Sequence, residues 1–139
     1  MRYFDEIIIH CSATPFGRAV RAADIDKWHR ERGFSCIGYH FVIDLDGKIE
    51  QGRPISQEGA HVKGHNKRSI GICYIGGVDS DGKPADTRTQ AQKESLCRLI
   101  WRLSVVALRN GFGLPQVLGH HDLNNKKACP CFNARTEYN

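Results

Sequence analysis

The sequence of this 139-residue chain predicts an α/β fold, with a central mixed β-sheet flanked by helices. Two observations predict it: strand and helix patterns alternate along the chain, and one hairpin interrupts that alternation. The length fits one domain, and no linker, repeat or low-complexity segment divides the chain. We therefore expect a single domain over residues 1–139.

The first strand is predicted at residues 4–13, "FDEIIIHCSA". This compact β-branched run is too short for a helix, and Thr14 and Pro15 stop it. Residues 22–34, "AADIDKWHRERGF", have apolar residues at helical spacing, and Gly33 is placed to end the helix. A helix is therefore expected to follow the first strand.

A hairpin is predicted at residues 38–52, "GYHFVIDLDGKIEQG". Asp46 and Gly47 are expected to supply the positive φ angles of a tight turn between two extended arms. Residues 69–77, "SIGICYIGG", follow a polar loop and are too continuously apolar for an edge strand. We therefore expect a central strand there.

A long helix is predicted from Thr89 to Asn110, because Thr89 and Gln92 have the spacing of a capping box and Gly111 can end the helix. A last strand, "QVLGHH" at 116–121, completes the expected sheet. The predicted buried face of the helix consists of Leu96, Leu99, Ile100, Leu103 and Ala107. Trp28 and Trp101 are also expected to fill core.

The composition is that of an ordinary globular protein, 40% hydrophobic and 25% charged, with a net charge of +5. The basic balance favours polyanionic partners such as wall polymers, but the charges are too spread for a specific nucleic-acid groove. No run approaches the roughly 20 apolar residues that a membrane span needs. We expect no membrane span and no specific nucleic-acid partner.

Six cysteines raise the question of disulfides. The first residues, "MRYFDEIIIH", lack the pattern of a signal peptide, so synthesis in the cytoplasm and reduced thiols are expected. Cys73 and Cys97 lie in apolar segments and should be buried.

Reactive side chains fall at the ends of the predicted strands, where α/β sheets tend to collect ligands. His10 ends the first strand and His120 ends the last, nine residues before Cys129. Three such donors with water in the fourth position are the usual arrangement of a catalytic zinc ion. The adjacent His121 and Cys131 compete for the same roles. The sequence therefore predicts a cleft at the strand ends that holds one zinc ion.

An ordered set of motifs resembles the type 2 N-acetylmuramoyl-L-alanine amidases, which include amidase-type phage lysozymes and the peptidoglycan recognition proteins. The motifs are "IIIHCSAT", "WHRERGF", "IGYHFVIDLDGKIEQGRP", "GAHVKGHNKRSIGICYIGG" and "GHHDLNNKKACPCF", and they span about His10 to Phe132. The resemblance implies a mixed sheet with a zinc cleft. It also implies hydrolysis of the amide between N-acetylmuramic acid and L-alanine in peptidoglycan.

Carried over motif by motif, the resemblance assigns the zinc ligands to His10, His120 and Cys129, and catalytic roles to Tyr39 and Lys127. Lys126 is the alternative to its neighbour. His61 lies in a loop that the family places near the substrate, and it is expected to contact substrate or to be an ordinary loop histidine. Asn133 and Cys131 depart from the residues that many relatives carry after the Cys-Pro pair.

The resemblance favours a monomeric phage or prophage endolysin that acts on the cell wall after release. Two alternatives from other classes stay open: a peptidoglycan-binding module without catalysis, and a regulator of an RNA polymerase, since some phage relatives inhibit one. Retention of all three zinc-ligand positions argues against the pure binding module.

Overall fold

The computed structural model describes all 139 residues and confirms the predicted α/β fold. A 3₁₀ turn at Asn66–Arg68 precedes the fifth strand. The strands are β1 (Glu6–Cys11), β2 (Thr14–Pro15), β3 (Phe41–Ile43), β4 (Ile49–Gln51), β5 (Ser69–Tyr74), β6 (Gly77–Val78) and β7 (Gln116–Gly119). The helices are α1 (Ala22–Glu31), α2 (Gln90–Arg109), α3 (His120–Leu123) and α4 (Ala134–Tyr138).

Five strands form the main sheet in the order β4-β3-β5-β1-β7. Strand β1 pairs in parallel with both β5 and β7, β3 pairs in parallel with β5, and β4 pairs antiparallel with β3. The sheet is therefore mixed, as predicted, and the strand that carries His10 has a neighbour on each side. A separate parallel pair joins β2 to β6.

Alternate side chains along β1 point to opposite faces of the sheet, and each face packs against its own part of the core. Ile7 and Ile9 belong to a cluster with the buried face of α2, whose five predicted residues are all buried. Ile8, the residue between them, packs with Val62 and Leu118 on the opposite face. His10 has the same parity as Ile8, so the alternation directs it away from α2.

The hairpin turn differs from the prediction in one residue. Gly47 has a φ of 87°, whereas Asp46 does not have a positive φ. The connection between β3 and β4 is longer than a two-residue turn, and the Asp46 carboxylate accepts a hydrogen bond from the Lys48 amide at 3.0 Å. A Cβ on Gly47 would also lie 2.8 Å from the Ala91 carbonyl oxygen, so α2 approaches too closely for another residue.

The predicted last strand is too long. It ends at Gly119, and His120 and His121 begin the short helix α3. The paired segments β2 and β6 were not predicted, because two-residue strands have no periodicity. Helix α4 was also missed, because its five residues are too few to show a helical period.

Helix α2 begins as predicted: the Thr89 hydroxyl accepts from the Gln92 amide at 3.1 Å and the Gln92 side chain accepts from the Thr89 amide at 2.9 Å. Two expectations on this helix were wrong. Trp101 is 68% exposed and Cys97 is exposed, because both lie on the face opposite the buried stripe. None of the helices combines the length and apolar character that a membrane crossing requires.

Candidate metal centre

Strand pairing brings the two candidate histidine ligands together. His10 is 1% exposed near the end of β1. Gly119, the last residue of β7, pairs with Ile9, so His120 follows directly beside His10. The two imidazole rings lie with their centroids 4.7 Å apart.

The third candidate ligand, Cys129, is held in place by backbone contacts from two elements. The His121 amide donates to the Cys129 carbonyl oxygen at 2.8 Å, and the Cys11 amide donates to the Cys129 sulfur at 3.1 Å. A Cβ on Gly119 would lie 2.7 Å from the Pro130 ring, so the glycine permits this segment to approach β7.

The structure separates His120 from its competitor His121, and both lie at the start of α3 rather than on a strand. His120 points into the cluster with His10, whereas the His121 ring lies 3.8 Å from the Asp122 carboxylate. Burial lowers the pKa of the His120 ring, and the nearby Lys127 ammonium lowers it further.

The donor set fits a zinc ion. One ligand atom from each of His10, His120 and Cys129 lies within 4.8 Å of the others. Burial holds the pKa of His10 well below its ordinary value, so the imidazole is neutral and keeps a lone pair for a metal. Two imidazoles and one thiolate are donors that zinc prefers, and three leave a coordination position open.

The three donors line a cleft of about 660 Å³. Tyr39, His61 and Lys127 line the same cleft, so the structure places these three predicted residues beside the three donors. Lys126 does not line it. Trp28 packs against the core cluster around Ile25, as expected, but it is only half-buried because its other side lines the cleft.

Tyr39 lies between two histidines. Its ring centroid is 4.9 Å from that of His10 and 5.3 Å from that of His29. Burial raises the pKa of the Tyr39 phenol well above its ordinary value, so the hydroxyl keeps its proton and can donate it in a hydrogen bond.

Sequence reasoning missed His29, which lines the cleft from α1. Its Nδ1 accepts a hydrogen bond from the Gly38 amide at 2.9 Å and so holds the backbone next to Tyr39. The available signal was its position four residues after Ile25, on the buried side of the helix. Burial lowers the pKa of His29, which favours the neutral ring that this hydrogen bond needs.

The two residues that depart from the family pattern, Asn133 and Cys131, lie outside the candidate metal cluster. The Asn133 side chain accepts from the Thr136 amide at 3.1 Å and caps α4. The Cys131 sulfur lies 3.9 Å from the Cys11 sulfur and is not part of the candidate metal cluster.

This chain is similar to known proteins over most of its length. Residues 2–132 match the family described as N-acetylmuramoyl-L-alanine amidase. An endolysin of Escherichia phage T7 is 40% identical over 131 residues, which cover 94% of this chain and 83% of that protein. An endolysin of Klebsiella phage KP32 is 39% identical over 130 residues, covering 94% and 82%.

Solved structures share the fold. The N-acetylmuramoyl-L-alanine amidase LysC of Clostridium intestinale superposes with a TM-score of 0.74 at 30% identity, covering 96% of this chain and 80% of that one. The bumblebee peptidoglycan recognition protein SA superposes with a TM-score of 0.76 at 25% identity, covering 99% and 81%.

Fold and cleft together define an α/β amidase with a metal-type donor cluster at the strand ends. The chain belongs to the type 2 N-acetylmuramoyl-L-alanine amidase family, and its activity class is that of an amidase.

Proposed function

We propose that this protein hydrolyses the amide between N-acetylmuramic acid and L-alanine in peptidoglycan, with one zinc ion held by His10, His120 and Cys129. The convergence of these three donors in one cleft carries the proposal. The similarity to phage endolysins over 94% of the chain supports the substrate class.

Zinc, when bound, supplies a Lewis acid and lowers the pKa of a coordinated water, so that an amide can be attacked at neutral pH. The protein contributes a rigid donor set. Both histidines are held neutral by burial, and the sulfur of Cys129 already accepts the Cys11 amide proton. Cysteine binds metal through its sulfur, as the thiolate.

Lys127 and Tyr39 act on the charge that develops during hydrolysis. As a water adds to the amide carbon, the carbonyl oxygen becomes an oxyanion, which preorganised cations and donors stabilise. Lys127 supplies a positive charge at the cleft, next to His120. Tyr39 supplies a protonated hydroxyl beside His10, which can donate a hydrogen bond to the oxyanion.

The test is hydrolysis of purified peptidoglycan fragments by the metal-loaded protein, with detection of new L-alanine amino termini. We expect a chelator to abolish their release and zinc to restore it. His10→Ala should remove both activity and bound zinc, whereas His121→Ala should retain zinc. Release of these termini by His10→Ala at the wild-type rate would contradict the proposed ligand set.

The same assay separates catalysis from pure binding. Retention of peptidoglycan fragments without new amino termini, even with zinc bound, would favour the non-catalytic binding module. We propose action on the cell wall as an endolysin after release, as a monomer. An RNA polymerase partner stays a prediction, for which a pull-down with purified polymerase is the measurement.

A further inference from the structure

The ring of His61 lies in a narrow slot in the wall of the cleft. A Cβ on Gly71 would lie 2.8 Å from this ring, and a Cβ on Gly59 would lie 2.7 Å from it. The backbone around the ring is also fixed, because the amides of His61 and Val62 both donate to the Asn66 side chain, at 2.8 and 2.9 Å. The ring therefore has a defined orientation.

In that orientation, His61 contacts one of the candidate ligands directly. Its Nδ1 lies 2.8 Å from Nε2 of His10, and its Nε2 lies 3.2 Å from the hydroxyl of Ser69. Ser69 is fully buried at the start of β5. Three side chains thus form a hydrogen-bonded row that begins at the metal centre and ends inside the protein.

The row has only two possible proton arrangements. One hydrogen bond between two neutral imidazoles contains one proton, carried either by Nε2 of His10 or by Nδ1 of His61. If His10 carries it, Nδ1 of His10 has a free lone pair for a metal. If His61 carries it, Nδ1 of His10 holds the second proton of that ring and cannot bind one.

We propose that His61 is a positioning residue that fixes His10 with its proton on Nε2 and its Nδ1 available to the metal. Nδ1 of His61 accepts the proton of His10, and Nε2–H of His61 donates to the Ser69 hydroxyl. Acceptors on the far nitrogen of a ligating histidine fix both its tautomer and its ring orientation. This inference rests on the proposed function, since it requires a metal at His10.

The decisive variants keep the size of the His61 side chain or its acceptor. His61→Phe retains an aromatic ring but has no acceptor. His61→Asn can place its side-chain oxygen near the former Nδ1. Ser69→Ala removes the last member of the row and leaves His61 in place. His65→Asn, in the same loop and paired with Glu6, is the matched control.

The primary measurement is zinc affinity, determined by competition with a chromophoric chelator. We expect His61→Phe to weaken zinc binding by about 10- to 100-fold. His61→Asn should recover most of that loss, Ser69→Ala should lose less, and His65→Asn should bind as the wild type. Equal affinity of His61→Phe and wild type would overturn the inference.

A second measurement does not depend on hydrolysis. Nitrogen-15 spectra of histidine-labelled, zinc-loaded protein should show a protonated Nε2 and a metal-bound Nδ1 on His10. In the metal-free His61→Phe variant, the His10 signals should shift towards a tautomer mixture. A metal-bound Nε2 on His10 would also overturn the inference. Because this spectrum is recorded on the wild-type protein, the test holds even if a variant fails to fold.

The two hypotheses fail in different ways. Wild-type protein that binds no zinc removes the proposed function and the role of His61 together. Tight zinc binding by wild type and by His61→Phe alike removes only the role of His61. A direct substrate contact by His61, as the sequence suggested, would raise the KM for peptidoglycan without changing zinc affinity.

Discussion

At the scale of single residues, the two neighbouring lysines near the cleft are expected to differ in their effect on catalysis. Lys127 lines the cleft, and its charge helps to lower the pKa of His120, whereas Lys126 does not line the cleft. Lys127→Ala should lower kcat by roughly 10²- to 10³-fold, since one stabiliser of the oxyanion is lost. Zinc affinity should stay close to that of the wild type.

Lys126→Ala is the matched control for this measurement, and it should hydrolyse peptidoglycan fragments nearly as fast as the wild type. Steady-state kinetics on both variants decide between the residues. A larger loss of kcat in Lys126→Ala would transfer the catalytic role to that residue.

The environment of Asp44 should make the free energy of unfolding depend on pH. Burial, and then the neighbouring Glu50, raise the pKa of Asp44 to about 7, and its Oδ1 has no hydrogen-bond partner. The raised pKa means that the fold favours the protonated carboxyl. The stability from this group is therefore complete below its unfolded pKa of about 3.9 and is lost as pH rises through about 7.

Asp44→Asn cannot lose a proton, so its free energy of unfolding should gain on that of the wild type as pH rises from 4 to 8. Urea unfolding at several pH values measures this difference. Parallel pH profiles for the two proteins would contradict the assignment.

At the scale of secondary-structure elements, Gln92 connects the start of α2 to the sheet. Its buried side-chain amide donates to the Ile75 carbonyl oxygen at 2.9 Å and its oxygen accepts from the Thr89 amide. Gln92→Leu leaves the buried Ile75 carbonyl oxygen and the partly buried Thr89 amide without these partners, which should cost roughly 2 to 4 kcal/mol of unfolding free energy.

Gln90→Leu is the control, because Gln90 is exposed and is the first residue of α2. This substitution should change stability by less than about 0.5 kcal/mol. Urea unfolding curves give both values. A cost for Gln92→Leu as small as that of the control would show that the capping contact contributes little.

At the scale of the whole molecule, the metal centre joins distant parts of the chain. His10 is on β1, His120 begins α3, and Cys129 lies in the segment before α4. Zinc at one hundred times its dissociation constant should therefore stabilise the fold by about 2.7 kcal/mol. This corresponds to a rise in Tm of roughly 5 to 10 °C for a chain of this size.

Calorimetry with and without zinc measures the shift. His10→Ala should show little or none of it, because one of the three donors is missing. A full shift in that variant would place the bound metal elsewhere.

Local patterns were sufficient for the longer elements. The capping box at Thr89, the apolar stripe of α2 and the β-branched run before His10 each depend on neighbours in sequence, and the structure confirms them. The shorter elements β2, β6 and α4 were not predictable, because they have too few residues to show a period and each also packs against a distant segment. The prediction that Trp101 fills core was wrong, because this residue is hydrophobic but lies outside the apolar stripe of α2.

The sequence by itself determined the alternating α/β pattern and the donor types that suit zinc, and the ordered motifs identified the family, because these depend on residue identity and spacing. Only the tertiary structure decided that His120 and not His121 lies beside His10. It also decided that Lys127 lines the cleft, and that His61 contacts His10. Those choices depend on strand register and on where β7 gives way to α3, which long-range packing fixes.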